Sequence, residues 1–465
     1  MTDYGLFVFA MGFLALGFKR PFLWVLAYCY VDIVAPQKIS WHLLAQIPIS
    51  LMVFVAAFGG WLALDDKQDS RFNYRQAILA VLLVYCGYTT LVADYPVEAA
   101  AKWSWVWKAL LFAIFLPLTL RTRLRIEAVA LVMVLSAAAI IISGGMKTAL
   151  GGGGYGSLKL LVDNNTGLFE GSTLAMAAIA ILPLILWLVR HGTIFPRNWL
   201  VVLFALALAF ACLLIPIGTQ ARTGLLCLGV MAVLALRTAK RRFLYGALGT
   251  VALLVAIPFL PKSYTDRMST IENHEADESA STRVAVWNWT LGYVQDHPMG
   301  GGFDSYMGNK IRYQKKITAG TGDNAEVASS YVEDAGRAFH SGYFEMLGEQ
   351  GYPGLFLWLW LQLSGLWQME RIRWKWKNRT APDEQWQAPL ANALQLAHVA
   401  YMIGALFIGV AYQPFILMLI GLQCGLWTYL KRIETPAPRR VGQAVKPKPL
   451  VACARVPTPD GARGV

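Results

Sequence analysis

FHSGYFEMLGEQGYPGLFLWLWLQL, residues 339–363, decides how this chain is read. Before it lie the 80 mostly polar residues Pro261–His340; after it an apolar run continues to about Trp367. The segment passes from water into an apolar medium, and an uninterrupted run of that length reads as a helix. His340 stands at the boundary. Gly351 and Gly354, the second behind Pro353, precede LFLWLWLQL. Over all 465 residues the chain is 56% hydrophobic and 15% charged, with mean hydropathy +0.46. A soluble domain carries about 25% charged residues. A helix crossing a bilayer core needs about 20 apolar residues, and runs approaching that length recur. The expected fold is an all-α polytopic membrane protein with 12–13 transmembrane helices and one large periplasmic loop containing amphipathic helices.

Upstream of the loop, residues 1–260 hold ten apolar runs. The first two, at about 4–18 and 22–34, are short and separated by Lys19-Arg20-Pro21; they make either one broken span or two thin ones, hence 12 or 13 spans. No basic n-region or small-residue cleavage site precedes them, so they are expected to stay in the mature chain. SGGMKTALGGGGYGS, 143–157, reads as a glycine-rich loop. Residues 261–340 form the large loop, 341–430 the last spans, and 431–465 a basic tail expected to be disordered and cytoplasmic.

Charge sets the expected orientation. Basic residues gather in the linkers at 65–76, 121–125, 190–197, 237–242 and 370–379 and in the tail. Short basic loops stay in the cytoplasm. The large loop has 8 Lys+Arg against 11 Asp+Glu, net −3 in a chain of +13, and so is expected outside, in the periplasm of a Gram-negative cell. The basic balance points to anionic lipid and gives no reason to expect nucleic acid. Five cysteines lie in apolar runs and Cys453 in the tail, with no CxxC pair, so they read as packing residues. No HExxH, carboxylate cluster of metal spacing or nucleotide loop is present.

Three residues carry chemistry. Arg222 sits between Ala221 and Thr223-Gly224 in a very short outward link, where a guanidinium can fork onto phosphate or simply cap a helix. Arg283 starts RVAVWNWTLGYVQ, whose spacing predicts an amphipathic helix over 282–295, ended by DHPMGGG. His340 can take a proton from a hydroxyl near neutral pH. Arg337 and Glu349 flank it as auxiliary candidates. A transporter is the competing class, but no charged residues sit mid-span in paired, repeated segments and no inverted repeat is evident.

With these residues in view, the chain resembles the O-antigen ligase and polymerase superfamily of bacterial membrane glycosyltransferases. The resemblance rests on Ala221–Gly224, Arg283 with Trp287, DHPMGGGF at 296–303, and His-Ser-x-Tyr-Phe-Glu with Glu-x-Gly at 340–351. It covers roughly residues 170–430. PFLWVLAYCYVDIVAPQKISW also resembles, more loosely, the O-glycosylation ligases associated with exosortase systems. The resemblance implies a multi-pass enzyme of the bacterial inner membrane whose active site faces the periplasm. It would transfer glycan from an undecaprenyl-diphosphate-linked donor to an acceptor on lipid A core, a protein or another glycan. It implies inversion, no cofactor and no metal. Arg222 and Arg283 would bind the diphosphate and His340 would activate the acceptor. Ser341 stands where many relatives carry Asn.

Overall fold

The computed structural model describes residues 2–40, 44–67, 70–150, 168, 170–237, 241–256, 278–319 and 326–434. The first part of the large loop, the GGGGYGS half of the glycine-rich stretch and the tail expected to be disordered lie outside the described residues. The helices in chain order are α1 Thr2–Gly17, α2 Phe22–Val34, α3 Pro36–Ile39, α4 Ile49–Leu64, α5 Tyr74–Leu91, α6 Pro96–Thr119, α7 Arg123–Leu150, α8 Gly171–His191, α9 Trp199–Gly218, α10 Arg222–Leu236 and α11 Arg242–Ala256. Then come α12 Glu278–Asp296, the strands β1 Lys310–Ala319 and β2 Glu326–Ala335, and the last helices α13 Gly342–Trp376, α14 Gln387–Gly404 and α15 Pro414–Glu434. This is an all-α polytopic membrane protein. Among the described residues, helices α6, α7, α8, α9 and α15 are each long and apolar enough to cross a membrane, and four shorter apolar helices accompany them.

Of the two alternatives left open at Lys19-Arg20-Pro21, the structure has two separate helices, and Trp24 closes the corner by donating its indole N–H to the Leu14 carbonyl at 2.9 Å. Elsewhere the structure differs from the sequence reading for physical reasons. SGGMKTAL is helical, because α7 continues to Leu150 and Gly145 lets it lie against Ala211 of α9. The loop also contains an antiparallel hairpin, Lys310 opposite Ala335 through Ala319 opposite Glu326. KIRYQKKITA hides a strand behind its charges. Ile311 is buried with Val286 and Phe339, which docks the hairpin on α12. Helix α12 spans four residues more than expected at its start and one at its end. Its buried stripe is Thr282, Val286, Thr290 and Val294, half threonine, so its inner face is narrow and close-fitting rather than broadly apolar.

Of the five long apolar helices, α8 and α15 are the most enclosed and α9 the least. A polar seam runs through this core. Arg75, fully buried near the start of α5, donates to Gln368 of α13 at 3.4 Å and Gln423 of α15 at 3.0 Å. His398 of α14 bridges Gln423 at 3.0 Å and Gln362 of α13 at 2.6 Å. Four helices are thereby held in register by amides. A second buried group joins α2, α4 and α6: Ser50 donates to Asp32 at 3.3 Å and accepts from Lys108 at 3.4 Å. Ionisable residues therefore do occur among the helices, which the sequence reading passed over.

Candidate functional site

The site is built where the loop re-enters the bundle. DHPMGGGF turns through Gly300 and Gly302, both with left-handed backbone (φ 84° and 79°), and meets α13 where that helix kinks at Gly351 (φ 63°). The two backbones touch: Gly301 N–H donates to the Gly348 carbonyl at 3.1 Å, Gly302 N–H to Glu349 at 2.9 Å, and Tyr352 N–H to Pro298 at 3.0 Å. A Cβ on Gly300 would come within 2.4 Å of the Glu349 carbonyl oxygen, and one on Gly351 within 2.2 Å of that of Pro298. The glycine-rich turn and the Glu-x-Gly motif are thus two halves of one joint.

His340 lies just before α13 and has a left-handed backbone, φ 47°. For a non-glycine residue that conformation is strained by about 1–3 kcal/mol and persists only where neighbours enforce it. Here they do. Trp287 of α12 donates its indole N–H to the Phe339 carbonyl at 2.9 Å and stacks on Phe344, ring centroids 4.9 Å apart. On the other side Gly342 N–H donates to the Ala405 carbonyl at 2.7 Å, and the Ser341 hydroxyl to the same oxygen at 3.3 Å.

Around the imidazole the structure gathers Arg283, Arg337 and Glu170. Burial holds its pKa below the ordinary value; Arg283 and Arg337 act in the same direction, and Glu170 opposes them. The ring therefore stays neutral, with a lone pair, to a lower pH than a free histidine. Arg337 is fixed by Asp334 at 2.5 Å and by mutual bonds with Asn309, whose amide donates to the Arg337 carbonyl at 2.6 Å. Glu170 caps α8, accepting from Ser172 N–H at 3.2 Å and Thr173 N–H at 2.7 Å.

Arg222 opens α10 after a tight corner in which Gln220 has φ 52°. That corner abuts the start of α8: a Cβ on Gly171 would stand 3.3 Å from Thr219, and one on Gly224 2.9 Å from Ala175 and Pro216. Small residues around Arg222 are what let α10 close onto α8. Arg222 also heads an open groove of about 570 Å³ running down α10, lined otherwise by Leu225, Leu226, Gly229, Val230, Val233 and Leu234. So Arg283 and Arg337 are brought to His340, and Arg222 stands at the helix corner beside the one that carries Glu170.

Glu349 is placed elsewhere. It is fully buried and its carboxylate faces Lys102 of α6 at 2.7 Å, not His340. Lys102, Glu345, Asp304 and Glu170 were all missed by sequence reasoning. Lys102 did leave a signal, an ammonium at the edge of an apolar run. His297 stacks on Tyr293 at 4.3 Å between ring centroids.

Two known families match parts of the chain. Residues 1–193 match a family of unknown function (DUF5935), and residues 207–359 match the O-antigen ligase family (Wzy_C). No curated protein matches the chain. The second match contains Arg222, Arg283, the glycine joint and His340 with the first half of α13. At the coarse level that family implies a glycosyltransferase-like enzyme with a lipid-linked glycan donor and a glycan or lipid acceptor. Segment 207–359, in which the gathered residues lie, matches the O-antigen ligase family, and that match supports membership of the O-antigen ligase and polymerase superfamily.

Proposed function

We propose that this protein is a glycan ligase of the bacterial inner membrane, moving an oligo- or polysaccharide from an undecaprenyl-diphosphate carrier to an acceptor hydroxyl on the periplasmic side. The observation that carries the reading is His340 beside Arg283, with Arg222 at the head of an apolar groove on the neighbouring helix corner; burial and Arg283 push the imidazole pKa down. The groove suits the carrier's hydrocarbon chain. The guanidiniums of Arg222 and Arg283 suit its diphosphate, where planar forks match paired oxygens.

In the reaction the acceptor oxygen attacks the anomeric carbon. His340 takes the hydroxyl proton as that bond forms. The bond from the anomeric carbon to the diphosphate oxygen breaks, and the electron pair leaves with the diphosphate. Two arginines aimed at that developing charge can stabilise it in the way a metal would. Attack opposite the leaving group inverts the anomeric centre. The acceptor is lipid A core, a protein hydroxyl or a further glycan unit.

The test is purified protein in lipid vesicles with a lipid-linked donor and an acceptor. His340→Ala is expected to lower turnover by about 10²–10⁴-fold while leaving donor binding. Wild-type turnover should fall as pH drops through the His340 pKa, and that limb should lie below the ordinary histidine value of about 6.5. Added EDTA should leave the rate unchanged. Near-normal turnover in His340→Ala would remove the imidazole from the reaction.

A further inference from the structure

Lys102 lies in the segment matched by the family of unknown function, yet every charged partner it has is in or beside the O-antigen ligase segment's joint. Its ammonium is 2.7 Å from Glu349, 2.8 Å from Glu345 and 3.4 Å from Asp304. It also lies over the rings of Tyr412, at 5.3 Å, and Phe303, at 5.7 Å. Glu345 and Glu349 are one turn apart on the first part of α13, directly after His340. Each carboxylate has a second duty. Glu345 accepts from Ala411 N–H at 2.9 Å, tying α13 to the link before α15. Glu349 accepts from Asp304 N–H at 3.0 Å, tying it to the glycine-rich turn.

The same segment grips the joint at three further points. Asp94 N–H donates to the Gly301 carbonyl at 2.9 Å, Thr89 hydroxyl to Gln350 at 2.6 Å, and Tyr85 hydroxyl to the Met299 carbonyl at 2.8 Å. Tyr293 of α12 donates to Asp94. Lys102 is the charged member of this grip. It draws two successive turns of α13 to one point, which fixes the rotation of the helix that begins beside His340.

We infer that Lys102 is a positioning residue for the transfer site: through Glu345 and Glu349 it sets the start of α13 and so the placement of His340 against Arg283. This gives the segment of unknown function a defined task, to frame the transfer site from outside it. The inference rests on the ligase reading above.

Lys102→Arg retains a cation but cannot put one nitrogen between three carboxylates. It is expected to insert and to bind donor, with donor KM little changed because the arginines hold the diphosphate. Turnover should fall by about 10–100-fold, the scale of a misplacement near 1 Å. Lys102→Met with Glu349→Gln removes one charge of each sign, guards against misfolding of a single variant, and should lose turnover likewise. Carbethoxylation of His340, followed by peptide mass spectrometry against His297 as internal reference, reads the placement without any activity. It should speed up in both variants as the clamp loosens. Wild-type turnover in either variant overturns the inference. So does lowered thermal stability with unchanged His340 reactivity, which packing alone predicts. Should the ligase reading fail, His340→Ala would retain activity while the reactivity change in the Lys102 variants persisted, so the two failures are distinguishable.

Discussion

Lys102 and Arg75 are both cations set among helices, and their surroundings are opposite. The Lys102 side chain is 12% exposed and meets three carboxylates. Arg75 is wholly buried and donates to the neutral amides Gln368 and Gln423. Taking a charge out of water costs several kcal/mol, and a counter-charge recovers it only with good geometry. At Lys102 the chain has gathered three carboxyl groups around one ammonium. At Arg75 it spreads one positive charge over amide dipoles. The difference follows position. The Lys102 cluster lies at the loop joint beside the candidate site, where ions fix a geometry. The Arg75 seam lies in the scaffold, where amides satisfy backbone and side chain without setting a charge.

The sharpest way to break that contrast is to remove each cation. Lys102→Met leaves three carboxylates facing one another, and stripping one partner from a buried ionic group costs about 3–5 kcal/mol. Arg75→Met removes a charge that had no carboxylate to abandon. It takes a donor from the Gln423 oxygen, while the Gln368 oxygen keeps the Asn73 amide at 3.3 Å, a loss of about 1–3 kcal/mol at most, offset by the relieved burial of charge. Denaturant unfolding of both variants in the same detergent measures the pair. Equal losses would show that the two cations do the same job.

Much of this was legible beforehand, for physical reasons. Each helix of the bundle follows an apolar run, since a segment in lipid must satisfy its own backbone. His340 and Arg283 stand out because a histidine and an arginine at a polar boundary are chemically conspicuous. Lys102 does not. A lone lysine at the edge of an apolar run reads as a span boundary, and its partners lie more than 200 residues away, at 304, 345 and 349. The hairpin escaped because lysines interrupt its alternation. Glu170 escaped because its importance comes from α8 starting beside the loop, which no local pattern states. Local periodicity gave the elements; the contacts that make the site are long-range.

A smaller effect sharpens the same contrast on the far side of His340. There the clamp is neutral: Trp287 donates to the Phe339 carbonyl and stacks on Phe344. Trp287→Phe keeps an aromatic ring for the stack and removes the donor. The expected cost is about 0.5–1.5 kcal/mol of stability, the net worth of one hydrogen bond, well under that of Lys102→Met. Turnover should fall with it, because the left-handed His340 backbone loses one of its restraints. A Trp287→Phe protein with unchanged stability and turnover would show that this hydrogen bond does not restrain His340.

The smallest effect concerns charge acting through space on His340, and its sign can be fixed in advance. Burial and Arg283 lower the imidazole pKa, Arg337 lowers it further, and Glu170 raises it. The neutral ring is the active form, so activity is lost as pH falls through the folded-state pKa. Arg337→Gln removes a lowering influence; the pKa rises and the acid limb moves to higher pH. Glu170→Gln removes a raising influence; the pKa falls and the limb moves to lower pH. Glu170→Gln also weakens the cap of α8, and Arg337→Gln frees Asp334, so both variants are read by the position of the limb and not by its height. Rate against pH for the three proteins, at saturating donor, makes the measurement. Opposite displacements would show that His340 titrates in the field of these two residues, unlike Arg75, whose amide partners offer no charge to remove. Displacement of both variants in the same direction would mean that rearranged burial outweighs their charge, and the electrostatic account of the base would fall.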